Sequence, residues 1–321
     1  MGALGMTCGL VVATMLAFGA CSGGDAQGDP GEEVTKEQYD GWMTELVAEN
    51  APVATGARAG SSRGLAADLD NNGALDLVVS GAAGTAVWLA DERSRLAEFD
   101  VSVAAEVFGI IDLNDDGWLD IAHGSRTEHT IRILWGQRDG FSVERSSLLN
   151  LAGVLGMSAA DLDGDGQVDL FAGTYADPVS VIRDMGSRIF WGDRRRGFLQ
   201  SNSQWLPGFS PLGRTIADFD GDGHLDIFSP QHSGELTRED LACHIYWGSA
   251  TGFHTRRRST LICDSVNDSL AGDFNGDGLI DLAVACHTQH GNHRVFSRVF
   301  YNDGRRFRNP RMTRLPTNGT H

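Results

Sequence analysis

The sequence predicts an all-β fold built from repeated four-stranded antiparallel sheets, and three observations support this. A nine-residue segment rich in aspartate occurs five times, a short apolar run follows each copy, and a second apolar run with an aromatic residue comes next. The five segments begin at residues 68, 112, 161, 218 and 273. Their mean spacing is about 51 residues, the length of a β-propeller blade. Because blades packed around an axis bury both faces of each small sheet, we expect a β-propeller with five visible blades.

Each unit supplies four strands in the same order. A short run such as residues 65–67 precedes the aspartate segment, and a run such as VDLFAG follows it. The third strand carries the aromatic residue, as in IRILWG at 131–136. A Gly-Phe pair then marks a turn into a fourth strand, as at Gly140-Phe141 and Gly197-Phe198. Each unit is therefore predicted to be a four-stranded antiparallel sheet.

The aspartate segments share the pattern D-x-[DN]-x-[DN]-G-x-aliphatic-D, which predicts a calcium loop. Oxygen side chains at positions 1, 3 and 5 converge on a cation, glycine at 6 permits a sharp turn, position 7 offers its carbonyl, and position 9 closes the shell. Oxygen-only ligands favour Ca²⁺ over Mg²⁺ and over zinc. The candidate ligands are Asp68, Asp70, Asn72, Ala74 and Asp76 in loop 1; Asp112, Asn114, Asp116, Trp118 and Asp120 in loop 2; Asp161, Asp163, Asp165, Gln167 and Asp169 in loop 3; Asp218, Asp220, Asp222, His224 and Asp226 in loop 4; and Asp273, Asn275, Asp277, Leu279 and Asp281 in loop 5. Loops 3 and 4 have four carboxylates each and are expected to bind most tightly.

An EF-hand is the obvious alternative, and position 12 of the loops excludes it. An EF-hand needs a bidentate glutamate there. The position is occupied by Val79, His123, Ala172, Ser229 and Val284. Because an apolar strand follows each loop instead of a helix, the sequence predicts a strand-loop-strand site.

These units resemble FG-GAP/VCBS repeats, the family that includes the integrin α-subunit propeller and many exported bacterial proteins. The resemblance covers about residues 60–321 and is carried by the aspartate loops, which bind calcium in that family. Asn72, Asn114 and Asn275 replace aspartates, and the FG and GAP signatures are degenerate. The family usually forms six- or seven-bladed rings. We therefore expect either a closed five-bladed ring or a truncated form of a larger one.

The N-terminal segment predicts export. Residues 1–20 contain no charged side chain, and the apolar run at 10–20 is short for a membrane span. The segment 18–21 (FGAC) resembles the lipobox of bacterial lipoproteins, which makes Cys21 the expected lipid anchor. An ordinary cleaved signal or a misplaced start codon is the alternative. The expected location is the cell envelope, at the outer membrane or cell surface, and otherwise the periplasm or the medium.

Two short regions separate this signal from the repeats. Residues 21–33 are polar and glycine-rich, as a flexible tether would be. Residues 34–59 contain a capping-box pattern and helical apolar spacing, followed by a linker.

Cysteines and histidines are expected at the end of the sheets opposite the calcium loops, because the connections between second and third strands lie there. The cysteines are Cys243, Cys263 and Cys286, and the histidines are His287, His290 and His293. An exported protein permits one disulfide among the cysteines, with one thiol left over and the pairing open. The histidines indicate either a transition-metal site or a solvated polar loop.

Composition and motifs narrow the function. A formal net charge of −17 disfavours nucleic acid as a partner. The chain has no H-E-x-x-H, P-loop or C-x-x-C pattern, which favours a non-enzymatic protein. We expect a binding or adhesion module for a protein or glycan, touching the membrane only through its lipid anchor. The alternatives are a propeller enzyme acting on carbohydrate and a purely structural envelope protein.

Overall fold

The computed structural model describes residues 63–81, 84–90, 96–100, 106–125, 129–174, 186–209, 211, 215–232, 241–263, 265–287 and 294–318. Throughout these ranges the regular secondary structure is β-strand, without helix. The predicted signal peptide, Cys21, the tether and the short helix lie outside the described residues, as do His290 and His293. No helix long and apolar enough to cross a membrane is found in the described ranges.

Twenty strands form five four-stranded sheets. Sheet I contains β1 (Arg63–Ala67), β2 (Asp76–Gly81), β3 (Gly84–Ala90) and β4 (Leu96–Asp100); sheet II contains β5 (Glu106–Ile111), β6 (Asp120–Ser125), β7 (Thr130–Leu134) and β8 (Ser146–Asn150); sheet III contains β9 (Val154–Ala160), β10 (Asp169–Thr174), β11 (Ser187–Phe190) and β12 (Ser203–Leu206); sheet IV contains β13 (Thr215–Ala217), β14 (Asp226–Ser229), β15 (Leu241–Tyr246) and β16 (Arg258–Cys263); sheet V contains β17 (Val266–Gly272), β18 (Asp281–Cys286), β19 (Arg294–Tyr301) and β20 (Arg311–Asn318). Strands lie in chain order within each sheet, and every pairing is antiparallel. The predicted all-β fold and its four-stranded units are confirmed.

The chain divides into two compact units. The first, Met1–Ala104, contains sheet I, and the second, Ala105–His321, contains sheets II to V. Within the second unit the first strands of successive sheets are neighbours: β9 contacts β5 and β13, and β13 contacts β17. The Thr215 hydroxyl donates to the Ser269 carbonyl at 3.0 Å and so connects β13 to β17.

Apolar clusters fill the space between neighbouring sheets of the second unit. Ile133 of sheet II packs in one cluster with Phe190 of sheet III. Phe171 of sheet III shares a second cluster with Tyr246 of sheet IV. A third joins sheets IV and V and is the largest of these. Because each cluster draws side chains from two sheets, the sheets are stabilised by burial against their neighbours.

Position within the sheet explains the burial of each strand. The second strand β10 is buried along its whole length, and its central residues Leu170, Phe171 and Ala172 are apolar. The fourth strand β20 is exposed from Arg311 to Pro316. Pro316 is tolerated there because an edge strand does not need every N–H for pairing.

Candidate metal centres

Each aspartate loop connects the first and second strands of its sheet, as predicted. The loops span residues 68–76, 112–120, 161–169, 218–226 and 273–281, and the ninth residue of each is the first residue of a second strand. Glycine at position 6 has a left-handed backbone in every loop, with φ between 84° and 87°. Position 4 is also left-handed and holds Asn71, Asp115, Gly164, Gly221 and Gly276. Residues that tolerate this conformation at both positions are therefore required for the turn.

The first aspartate organises the loop around backbone donors. In loop 3 the Asp161 carboxylate accepts hydrogen bonds from the N–H groups of Gly164 at 2.8 Å, Asp165 at 3.1 Å and Gly166 at 2.9 Å. Asp218 and Asp273 accept the equivalent bonds in loops 4 and 5. These bonds hold the carboxylate in place before any ion binds.

The fifth side chain fixes the seventh residue, whose carbonyl was predicted to be a ligand. In every loop the seventh N–H donates to the oxygen of the fifth side chain, at 2.7 to 3.0 Å. The seventh residues are Ala74, Trp118, Gln167, His224 and Leu279. The loop backbone is therefore fixed at the position where a carbonyl ligand was expected.

The ninth aspartate has a second role that the sequence did not reveal. In loop 3 one oxygen of Asp169 accepts the N–H of Leu162 at 2.8 Å, and the other accepts the N–H of Gly192, just after the third strand, at 2.8 Å. The same pair of bonds is present at Asp76, Asp120, Asp226 and Asp281. All five carboxylates are buried. The ninth aspartate thus joins the start of the loop to the end of the third strand.

Burial raises the pKa of the ninth aspartate in loops 1 to 4. Desolvation raises the pKa of Asp120 and Asp226 to about 7 and that of Asp169 to about 6, and it also raises the pKa of Asp76. The backbone hydrogen bonds oppose the shift, and neighbouring aspartates increase it. A divalent cation stabilises the ionised form of such a cluster.

Three loops place three carboxylates where one cation can reach all of them. In loops 1, 3 and 4 the first, third and ninth aspartates have ligand oxygens within 4.8 Å of one another. Loops 2 and 5 have asparagine at position 3, and the amides of Asn114 and Asn275 donate to the fifth-position aspartates at 3.0 and 2.9 Å. The all-oxygen donor sets fit a hard cation such as Ca²⁺.

Packing explains the Trp-Gly pairs. A Cβ at Gly136, Gly192 or Gly248 would lie 2.1 to 2.3 Å from the carbonyl oxygen of the eighth loop residue, which is Leu119, Val168 or Leu225. Only glycine permits this approach. The indole before it packs between sheets, since Trp135 stacks on Phe198 of the next sheet with ring centroids 6.5 Å apart.

The cysteines and histidines meet between sheets IV and V. Cys243, Cys263 and Cys286 are buried in one apolar cluster and are not joined by the permitted disulfide. The rings of His232 and His287 stack with centroids 5.5 Å apart. Among the described residues, however, the only groups of three ligand atoms within 4.8 Å are the aspartate triads. The transition-metal interpretation therefore gains no support.

Comparison with known proteins agrees with the repeat. Residues 112–172 match the FG-GAP-like repeat. The matched segment contains loop 2, strands β6 to β9, and loop 3 with most of β10. No curated protein matches the sequence.

Solved structures resemble the fold at low sequence identity. An Agrocybe aegerita lectin that recognises non-reducing terminal N-acetylglucosamine has a TM-score of 0.52 and 17% identity, covering 83% of this chain and 68% of the lectin. The V. cholerae biofilm matrix protein Bap1 has a TM-score of 0.44 and 14% identity over 75% of this chain and 37% of that chain. A Photorhabdus luminescens Tc holotoxin pore has a TM-score of 0.35 and 19% identity over 71% of this chain and 11% of that chain. The chain spans a minor part of the last two proteins, and the likeness to the lectin shows a shared fold.

Proposed function

We propose that the protein is a calcium-stabilised β-propeller that serves as an exported binding module for a protein or glycan. The observation that carries the proposal is the convergence of the first, third and ninth carboxylates within 4.8 Å in loops 1, 3 and 4. Unmetallated carboxylates at this separation repel one another, and calcium removes the repulsion. The repeated four-stranded sheets and the FG-GAP-like match at residues 112–172 support the propeller.

Calcium titration followed by thermal unfolding tests the structural part. Free calcium at ten times Kd stabilises one site by about 1.4 kcal/mol, so five sites would contribute roughly 7 kcal/mol. The melting temperature should rise with calcium and fall with EDTA. Asp163→Asn in loop 3 should reduce the calcium-dependent rise, whereas Asp139→Asn, an exposed residue outside the loops, should not. Equal melting with calcium and with EDTA would contradict the calcium proposal.

The ligand is proposed to bind at the end of the sheets away from the loops, because the loop carboxylates are committed to ions and backbone donors. The lectin of similar fold recognises N-acetylglucosamine, so glycans are the first class to screen. A glycan array and a panel of envelope and host-surface proteins, read with and without calcium, test this. DNA and RNA serve as negative controls, since the net charge of −17 repels polyanions.

The two alternatives give different results in the same experiments. A carbohydrate-active enzyme would release shortened or unsaturated sugars from a polysaccharide panel. A purely structural envelope protein would bind no arrayed ligand, and its deletion would change envelope integrity. Saturable binding without turnover supports the module.

Export and lipid anchoring through Cys21 belong to the same proposal. Cells that make the protein should incorporate labelled palmitate into it, and Cys21→Ser should abolish the label and release the protein from the membrane fraction. Incorporation of label into the Cys21→Ser variant would contradict this anchor.

A further inference from the structure

Loops 3 and 4 can be compared directly, because they share the same residue types at the candidate carboxylate and glycine positions. Both have aspartate at positions 1, 3, 5 and 9 and glycine at positions 4 and 6. In both, the first, third and ninth carboxylates lie within 4.8 Å of one another. From sequence alone they should bind calcium equally well, but their surroundings differ: within the described residues, Arg306 and Arg257 reach carboxylates of loop 4, and no arginine forms an ion pair with a carboxylate of loop 3.

Arg306 lies in the turn between β19 and β20, at a place where sheets II, III and IV have glycine. Those residues are Gly140, Gly197 and Gly252, with φ values of 88°, 62° and 76°. Arg306 has the same left-handed conformation, with φ of 57°. Each of the four residues precedes a buried phenylalanine. Because a bulky side chain is disfavoured in this conformation, an arginine here requires a compensating interaction.

The packing around Arg306 confirms that the turns correspond. A Cβ at Gly197 would contact the Trp135 indole of the preceding sheet at 3.5 Å, and one at Gly252 would contact Trp191 at 3.6 Å. The Arg306 guanidinium lies over Trp247, 5.1 Å from the ring centroid. Arg306 therefore occupies the glycine position and extends its side chain along the indole of sheet IV.

The guanidinium reaches the acidic centre of loop 4. It forms an ion pair with Oδ2 of Asp220 and lies 3.7 Å from Oδ2 of Asp222. The Asp220 side chain is 6% exposed, and its Oδ2 accepts no hydrogen bond. Arg257 also approaches Asp222, at 3.6 Å. Asp220, a predicted calcium ligand, thus has the Arg306 cation beside its Oδ2, an oxygen to which no hydrogen bond is donated within the described residues.

Loop 3 has no such cation in the described part of the chain. No ion pair there reaches Asp163, the counterpart of Asp220. The turn that corresponds to Arg306 for loop 3 contains Gly252, which has no side chain to extend. The two loops therefore offer the same oxygen ligands in different local electric fields.

We propose that Arg306 is a resident cation of loop 4, so that this loop binds calcium more weakly than loop 3 and keeps its structure when calcium is absent. The inference rests on the proposed calcium binding. Arg306 pairs with one oxygen of Asp220, a predicted calcium ligand, and a positive charge beside a cation site lowers the affinity of that site for a cation. Arg306 is thus a residue that sets the calcium affinity of loop 4.

The test compares Arg306→Gln with Arg305→Gln in the full chain. Arg306→Gln removes the charge and keeps a side chain of similar length. Arg305 is the control because it is an exposed neighbour whose guanidinium lies 3.9 Å from the Asp303 carboxylate. Calcium chloride titrations of further variants assign the isotherms. Binding that is lost in Asp220→Asn belongs to loop 4, and binding that is lost in Asp163→Asn belongs to loop 3. In the wild type, loop 4 should bind roughly tenfold more weakly than loop 3. Arg306→Gln should raise the calcium affinity of loop 4 toward that of loop 3, with Arg257 still 3.6 Å from Asp222, and Arg305→Gln should leave it unchanged.

A metal-free measurement separates this inference from the calcium proposal. In EDTA, Arg306→Gln should melt at a lower temperature than Arg305→Gln, because Asp220 and Asp222 lose their counter-cation. If no variant binds calcium, the calcium proposal fails, and the EDTA comparison alone decides whether Arg306 acts as a resident cation. Wild-type calcium affinity at loop 4 in Arg306→Gln, together with equal melting of the two variants in EDTA, would overturn the inference.

Discussion

The carboxylate of Asp120 accepts a hydrogen bond from the backbone N–H of Gly136 at 2.8 Å. Asp120 is the first residue of β6, and Gly136 lies just after β7. The bond therefore connects the start of the second strand of the sheet to the end of the third. The second Asp120 oxygen accepts the N–H of Leu113 at 2.8 Å. The ninth aspartate therefore stabilises its sheet through the backbone, in addition to any ion it binds.

Replacing Asp120 should destabilise the protein even without calcium. Asp120→Leu leaves the buried N–H groups of Leu113 and Gly136 without acceptors, each at a cost of about 1–3 kcal/mol. Urea unfolding in EDTA measures the free energy of unfolding. Asp139→Asn, which is exposed and lies outside the loops, is the control and should unfold like the wild type. If Asp120→Leu changed the free energy of unfolding as little as Asp139→Asn does, the proposed backbone role of Asp120 would be contradicted.

Gly192 should not tolerate a methyl group. In Gly192→Ala the Cβ would lie 2.3 Å from the carbonyl oxygen of Val168, so the strand must move, at a cost of about 1–3 kcal/mol. Gly109→Ala is the matched control, because a Cβ there meets nothing within 4 Å. Neither glycine has a left-handed backbone, so the comparison isolates the steric effect. Equal urea midpoints for Gly192→Ala and Gly109→Ala would contradict the steric clash expected at Gly192.

Buried His123 should make the wild type sensitive to acid. Burial is the main cause that lowers its pKa from 6.5 to about 4, and the charge of Arg132 adds to the effect. Neither ring nitrogen has a hydrogen-bond partner in the described structure. Between these pH values the unfolded chain takes up the proton first, so stability falls as pH falls through 6.5 and levels off near 4, by up to about 3 kcal/mol.

The His123→Leu variant isolates this effect, since the other titrating groups are common to both proteins. The free energy of unfolding of wild type minus that of the variant should decrease as the pH is lowered from about 7.5 to about 4.5. Urea unfolding at several pH values measures the difference. A difference that does not change with pH would show that His123 is protonated in the folded state as readily as in the unfolded one.

The three cysteines should resist modification in the folded protein. All are buried, and burial raises the pKa of the Cys263 thiol, with Cys243 adding to the shift. Because the thiolate is the reactive form, iodoacetamide at pH 8 should label them roughly a hundredfold more slowly in buffer than in urea. Mass spectrometry of the peptides gives the rate for each cysteine. Equal rates in buffer and urea would contradict the burial.

Much of the fold followed from the sequence because its signals are local and repeated. The aspartate pattern fixes the turn between first and second strands, and the spacing of the copies delimits each sheet. The hydrogen bond from Gly192 to Asp169 was not predictable in this way, since it depends on two strands meeting in space. The Trp-Gly pair was noticed, but the carbonyl that excludes a side chain at Gly192 is visible only in the structure. Arg306 left a signal that was missed: it precedes Phe307 where the turns of sheets II, III and IV have Gly-Phe.

The bonds of Asp120 to Leu113 and Gly136 stay within one sheet, which has a consequence for how such chains evolve. A gene duplication that copies one segment of about fifty residues also copies the loop, its carboxylates and the backbone donors that hold them. The new sheet then needs only a compatible surface toward its neighbours. The number of sheets can therefore change over time without redesign of the aspartate loops, whereas a residue such as Arg306, which acts on the preceding sheet, must be selected anew at each junction.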